Sequence, residues 1–145
     1  MVVERVFSVS SELVAALERL IPQLTGNNPP PSAADLTLLV ENDANALVVA
    51  RYPDNAGQIV GAGALGIYRV PTGVRAVIED IVVDDSVRGL GIGEAITRAL
   101  MELAQNAGAR GVSLTSHSRR QAANRLYVRL GFELRQTNCY YFEFR

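Results

Sequence analysis

The stretch Ile81-Val82-Val83-Asp84-Asp85-Ser86-Val87-Arg88-Gly89-Leu90-Gly91-Ile92-Gly93 constrains this chain more than any other. An apolar, β-branched run passes through a turn with glycine at alternating positions. Apolar residues then recur at Ile96, Ala99, Leu100, Leu103, Ala104 and Ala107, the spacing of an amphipathic helix that Gly108 can end. Glycines in such a turn let backbone N–H groups approach a ligand with no Cβ in the way. The helix N-terminus adds donors and a dipole that favours anions. Arg88, Gly89, Leu90, Gly91, Ile92 and Gly93 therefore read as a pyrophosphate cradle, with the Arg88 charge at its entrance or in solvent.

The nature of the phosphate ligand is narrowed by what is missing. A dinucleotide fingerprint starting at Gly89 needs a third glycine at position 94, which is Glu94. All 14 basic residues are arginine, so a Walker-type lysine, a Schiff-base lysine and a lysine general base are excluded. A net charge of −1 argues against a general nucleic-acid surface. The charge is uneven: residues 1–83 hold five Arg and nine acidic residues, and residues 84–145 hold nine Arg and six. A polyanionic cofactor would favour the second part and a cationic substrate the first, although chance unevenness reads equally well. One cysteine, Cys139, and one histidine, His117, make neither a disulfide nor a metal site. With no signal segment and no apolar run near the roughly 20 residues of a membrane span, the expectation is a soluble, cytoplasmic protein.

The 145 residues suit one domain, 1–145, with no repeat or linker beyond the Asn27–Pro31 loop. Val2 to Phe7 reads as a strand. Ser10 or Ser11 can cap a helix to about Leu24, and Ser32 can cap a second through Val40. Ala46 to Tyr52, Gln58 to Tyr68 and Val74 to Val83 read as three strands joined by turns. After the glycine-rich helix, Gly111 to Thr115 reads as a strand and Ser118 as the cap of a further helix that Gly131 stops. Phe132 to Arg135 and Cys139 to Phe144 read as closing strands around a Gln136–Asn138 turn. The order β-α-α-β-β-β-α-β-α-β-β is that of an α/β fold with a mixed sheet.

Two motifs at this spacing carry a family resemblance. The Arg/Gln-x-x-Gly-x-Gly/Ala pattern is present as Arg88-Gly89-Leu90-Gly91-Ile92-Gly93, preceded by the apolar strand Ile81-Val82-Val83. Asn124, three residues before Tyr127, is followed by Gly131-Phe132. Over about residues 58–135 the chain resembles the GCN5-related N-acetyltransferases (GNAT). The resemblance implies a central mixed sheet, flanked by helices, whose strands 4 and 5 splay apart around acetyl-CoA. It implies that the backbone of Ile81, Val82 and Val83 pairs with the pantetheine arm. The Val83 N–H would face the thioester oxygen, and the N–H groups of Arg88 to Gly93 the pyrophosphate. Asn124 would hydrogen-bond the cofactor, and Tyr127 would protonate the leaving sulfur. From its spacing alone, Tyr127 reads equally as a core aromatic.

The implied reaction is acetyl transfer from acetyl-CoA to a primary amine by direct attack through a tetrahedral intermediate, with no metal. Glu79 is the candidate base, directly or through water, where burial and neighbouring Asp80 would raise its pKa. Its rival roles are a solvated edge charge or an ion pair with Arg75. Strand alternation would place Glu79 and Asp80 on opposite faces, with only one in the cleft. His117, at the mouth of the expected splay, is a substrate or base residue or merely a polar loop residue. Arg119 and Arg120, at a helix start, suit an anionic group such as the cofactor's 3′-phosphate, or solvent. The acidic N-terminal half should form the acceptor wall, and nothing in it identifies the amine, whether on a small molecule or a protein. A non-catalytic acyl-CoA sensor is the alternative. Cys139–Phe144 is suited to covering a partner's edge, which leaves a homodimer open.

Overall fold

The computed structural model describes residues 1–145, in two compact units, Met1–Thr115 and Ser116–Arg145. The first unit is built on a four-stranded antiparallel sheet in sequential order: β1 (Val2–Arg5), β2 (Asn45–Tyr52), β3 (Gln58–Val70) and β4 (Gly73–Val83). Helices α1 (Ser11–Thr25) and α2 (Ala33–Glu41) precede β2, and α3 (Ile92–Asn106) follows β4. Ser10, not Ser11, caps α1 by accepting from the Leu13 N–H at 3.1 Å. Ser32 and Asp35 form a reciprocal capping box on α2, which holds the Asp35 carboxyl below its usual range.

Both faces of the sheet are covered, which is why its central strands are almost continuously apolar. On one face, Leu47, Val49, Ile59, Ala62 and Val82 cluster with Leu13, Ala16, Leu17, Leu20 and Leu36 from α1 and α2. The opposite face receives α3 at two glycines. A Cβ on Gly61 or Gly63 would lie 2.8 Å from the Ile96 side chain, so only glycine admits the helix this closely. Ile92, Ile96, Leu100 and Ala104 are accordingly the buried stripe of α3.

Three expectations about strands need correction. The run Gly111–Thr115 meets β4 only at Ser113, through one parallel bridge to Val77. Its bonds are Ser113 N–H to Ala76 O (3.1 Å) and Ile78 N–H to Ser113 O (2.8 Å). Immediately beyond, β4 bulges and the two segments share no further bond. The α/β class is as expected, but the sheet is antiparallel rather than mixed and has fewer strands, the single parallel bridge at Ser113 being its only parallel contact. Phe132–Arg135 and Cys139–Phe144 are not strands either, because alternation marks residues suited to a ladder without supplying the neighbouring edge.

The second unit is built on helix α4 (Gln121–Arg129). Ser118 does not cap it. Arg120 occupies the N-cap position without a side-chain cap bond, and Asn124 instead reaches back into the preceding turn. Gly131, at φ +97°, closes the helix, with Phe132 N–H bonded to Tyr127 O at 3.0 Å. No helix of the protein is long and apolar enough to cross a membrane.

Candidate active site

A bulge lies near the end of β4. β3 and β4 pair as Ala64↔Glu79 and then Ala62↔Val82, so β4 carries one extra residue. Asp80 absorbs it with φ +53°, in the left-handed region that aspartate tolerates better than most residues. Glu79 and Asp80 are both exposed, so the expected division of the pair between two faces does not hold. The extra residue breaks the alternation. The burial expected around Glu79 is absent too, and Arg75 bonds Thr72 Oγ1 at 3.0 Å rather than pairing with Glu79.

The bulge also reverses which backbone groups face the open edge. Before it, Ala76 and Ile78 direct theirs to Ser113. After it, Asp84 donates to Val60 O on β3 at 2.8 Å, so Val82 also faces β3, and Ile81 and Val83 face away. The edge beyond Ser113 thus turns the Val83 N–H and C=O groups away from β3, while the Ile81 and Val82 side chains remain core. The Val83 carbonyl is touched only by the Arg88 Nε, at 3.4 Å.

A 3-10 turn, Asp85–Val87, links this edge to the cradle. Asp84 caps it, accepting from the Ser86 N–H (3.0 Å) and hydroxyl (2.8 Å). Those two bonds, and then Arg19, hold the Asp84 carboxyl below its usual range. Arg88 pairs with Asp85 at 2.6 Å, so the charge at the entrance is anchored locally. Gly89 and Gly91 have φ +80° and +79°, and a Cβ on either would meet no protein atom within 4 Å. Gly91 is the N-cap of α3 and no side chain caps that helix, so the first turn, from Ile92 and Gly93, opens beside free space. Leu90 is exposed. These residues fit a pyrophosphate: the space that side chains would fill is kept clear, and a 15-residue helix points its N-terminus at it.

Asn124 and Tyr127 lie on α4 in the second unit. The Asn124 amide donates to His117 O (3.0 Å) and Arg120 O (2.8 Å), so both its protons already serve the turn before the helix. His117 is a member of the same turn, its Nδ1 accepting from the Arg119 N–H at 3.1 Å. Tyr127 is 7% exposed, and its ring meets Phe132 edge-on at 5.8 Å between centroids. Burial raises its hydroxyl pKa above the ordinary value, against the opposing Arg120 charge, so the hydroxyl is protonated at neutral pH. Ser116 was not singled out by its sequence context; its Oγ is buried without a hydrogen-bond partner.

Residues 12–132 match the model of the acetyltransferase (GNAT) family. The chain belongs to the GNAT family. It is 35% identical over 127 residues to the glucosamine 6-phosphate N-acetyltransferase of Trypanosoma brucei brucei, covering 84% of this chain and 83% of that one. It is 34% identical over 82 residues to the L-methionine sulfoximine/L-methionine sulfone acetyltransferase of Pseudomonas aeruginosa, of which it spans 48%. Among solved structures, a Trypanosoma brucei acetyltransferase superposes with a TM-score of 0.75 at 27% identity, covering 97% of this chain and 99% of that one. An aminoglycoside acetyltransferase from an uncultured soil metagenomic sample superposes at 0.84 and 20% identity, covering 99% and 95%, which bears on the fold alone. This GNAT protein is an acetyl-CoA-dependent N-acetyltransferase, as its family and its relatives show.

Proposed function

We propose that this GNAT enzyme acetylates the amino group of an amino sugar, with glucosamine 6-phosphate the first acceptor to offer. The 35% identity to a glucosamine 6-phosphate N-acetyltransferase, spread over 83% of that protein, carries the choice of acceptor. The reversed polarity of β4 beyond Asp80 supports the choice of site, because it leaves a strand-like edge leading directly to the cradle.

Acetyl-CoA supplies an activated acetyl thioester. The open edge at Ile81 and Val83 would bind its pantetheine arm as a strand binds its neighbour, with the Val82 side chain anchoring that edge in the core. The Val83 N–H is the donor for the thioester oxygen, where negative charge develops as the amine attacks. The N–H groups of Arg88 to Gly93 would hold the pyrophosphate. Glu79, exposed beside the bulge, would accept the ammonium proton through water. Tyr127, with its hydroxyl protonated, would give its proton to the departing sulfur. Asn124 would have only its Oδ1 left to offer the cofactor, because its amide protons are engaged.

Thiol release in the presence of acetyl-CoA tests this reading, with glucosamine 6-phosphate, glucosamine, an aminoglycoside and methionine sulfone as acceptors. Turnover with glucosamine 6-phosphate at least ten times more efficient than with the others is expected. Preference for methionine sulfone would replace the acceptor class. Acetyl-CoA binding without thiol release for any amine would favour the non-catalytic sensor.

A further inference from the structure

We propose that Thr97 is a positioning residue for the pyrophosphate cradle, its hydroxyl fastening the first turn of α3 from inside the protein. The inference rests on the reading of Arg88 to Gly93 as that cradle. Thr97, at 0% exposure, is the one buried residue with an aliphatic hydroxyl or a charge. It lies beside Ile96 and before Leu100 on the buried side of α3, where an apolar residue of the same shape would pack as well. A hydroxyl taken out of water is costly unless it is bonded. This one donates to the Gly93 carbonyl at 2.7 Å.

The start of α3 is built differently from those of α1 and α2. Ser10 and Ser32 cap the earlier helices with their side chains, whereas α3 begins at Gly91 with no side-chain cap. Glycines on both sides of Ile92 give this turn the freest backbone of any residue type. An uncapped helix end with such a backbone is prone to fray.

A cap from outside would solve the problem at the wrong cost, because it would occupy the N–H donors that an anion needs. The fastening comes from the next turn instead. The Gly93 carbonyl, which the helix ladder pairs with a backbone N–H, takes the Thr97 hydroxyl as a second donor. A back-bond of this kind tilts the carbonyl it holds and so sets the local path of the helix. With Gly93 held, the turn stays helical and its N–H groups converge before any anion arrives, which lowers the ordering cost of binding.

Calorimetry with acetyl-CoA and ADP on the full chain and its Thr97 variants tests the proposal. Thr97→Val keeps the shape and loses the hydroxyl. Its dissociation constant for acetyl-CoA is expected to rise about tenfold, with the same factor for ADP, which keeps a pyrophosphate and lacks the pantetheine arm. Thr97→Ser keeps the hydroxyl and gives up a buried methyl. It should bind within about twofold of the native chain while melting about 2–4 °C lower. Affinity and stability therefore rank the two variants in opposite orders, which a residue that only packs would not produce. Thr97→Ala, a second variant without the hydroxyl, should lose affinity as Thr97→Val does and decides the matter if the latter fails to fold. In the ligand-free protein, the Ala95 amide, bonded to Gly91 O at 3.0 Å, should exchange at least about fivefold faster in Thr97→Val than in Thr97→Ser. Native affinity in Thr97→Val, or a loss that Thr97→Ser shares, overturns the proposal and leaves the cradle standing. Absence of acetyl-CoA binding by the native chain overturns the cradle, and the proposal with it.

Discussion

Arg19 on α1 reaches across to the end of β4, its Nε lying 3.2 Å from Asp84 Oδ2 while a second guanidinium nitrogen donates to the Ile59 carbonyl. One helical turn on, Gln23 Oε1 accepts the Asp85 N–H at 2.9 Å. Asp84 in turn caps the 3-10 turn that enters the cradle. Helix α1 therefore fixes the backbone from which the proposed pyrophosphate site starts, although it contributes no residue to the cradle. Arg19→Ala is expected to raise the KM for acetyl-CoA about fivefold with kcat changed less than about twofold. The charge-assisted bonds lost are partly solvent-screened and worth at the low end of ~1–3 kcal/mol. An unchanged KM would show that the cradle holds its shape without α1.

Asp84 gives this brace a pH dependence. Its carboxyl is held below the ordinary value of 3.8 in the folded protein. The folded state thus binds fewer protons than the unfolded chain, and stability from this group is full above the unfolded pKa and lost as pH falls through the lowered folded one. Urea midpoints measured from pH 5 down to pH 2.5 should fall more steeply for the native chain than for Asp84→Asn. Parallel curves would remove Asp84 from the acid response.

Gly91→Val tests the cradle itself. At φ +79° a β-branched residue is strained by about 1–2 kcal/mol, and its Cβ would enter the space kept clear beside the α3 N-terminus. Acetyl-CoA affinity should fall by more than about 100-fold. The melting temperature should drop only a few degrees, because no protein atom lies within 4 Å to clash. Retained affinity would reject the assignment.

Much of this arrangement is legible in the sequence because it depends on local rules. The glycine pair before α3, the capped starts of α1 and α2, and the apolar stripe of Ile96, Leu100 and Ala104 each follow from neighbours a few residues away. The bulge is not legible in this way. Alternation along Ile78-Glu79-Asp80-Ile81 predicts opposite faces for the two acids, and only the pairing with Ala62 and Ala64 reveals the extra residue. Gly61 and Gly63 read as ordinary strand residues until α3 is seen lying against them. The Arg19–Asp84 contact spans 65 positions and leaves no periodic trace. Cys139–Phe144 has a strand's pattern, yet whether it becomes one depends on an edge that the pattern does not encode.

Tyr127→Phe removes only a hydroxyl from a buried ring packed on Phe132. If that hydroxyl protonates the departing sulfur, kcat should fall about 100-fold with acetyl-CoA affinity within about twofold of the native value. Because burial raises its pKa, any alkaline limb that Tyr127 contributes should lie above pH 10. Unaltered kcat would return Tyr127 to a packing role.

Glu79→Gln addresses the proton leaving the amine. Loss of the acidic limb of the kcat/KM profile, with turnover reduced about 10- to 100-fold, is expected of a water-relayed base. A profile of unchanged shape would leave Glu79 as a solvated charge on β4.

The most direct measurement is a calorimetric titration with acetyl-CoA, dephospho-CoA and ADP, followed by addition of glucosamine 6-phosphate with thiol detection. Micromolar binding of acetyl-CoA, weaker binding of ADP and stoichiometric thiol release on adding the amino sugar are predicted. Absence of acetyl-CoA binding, or binding with no thiol released to any amine, would contradict the account.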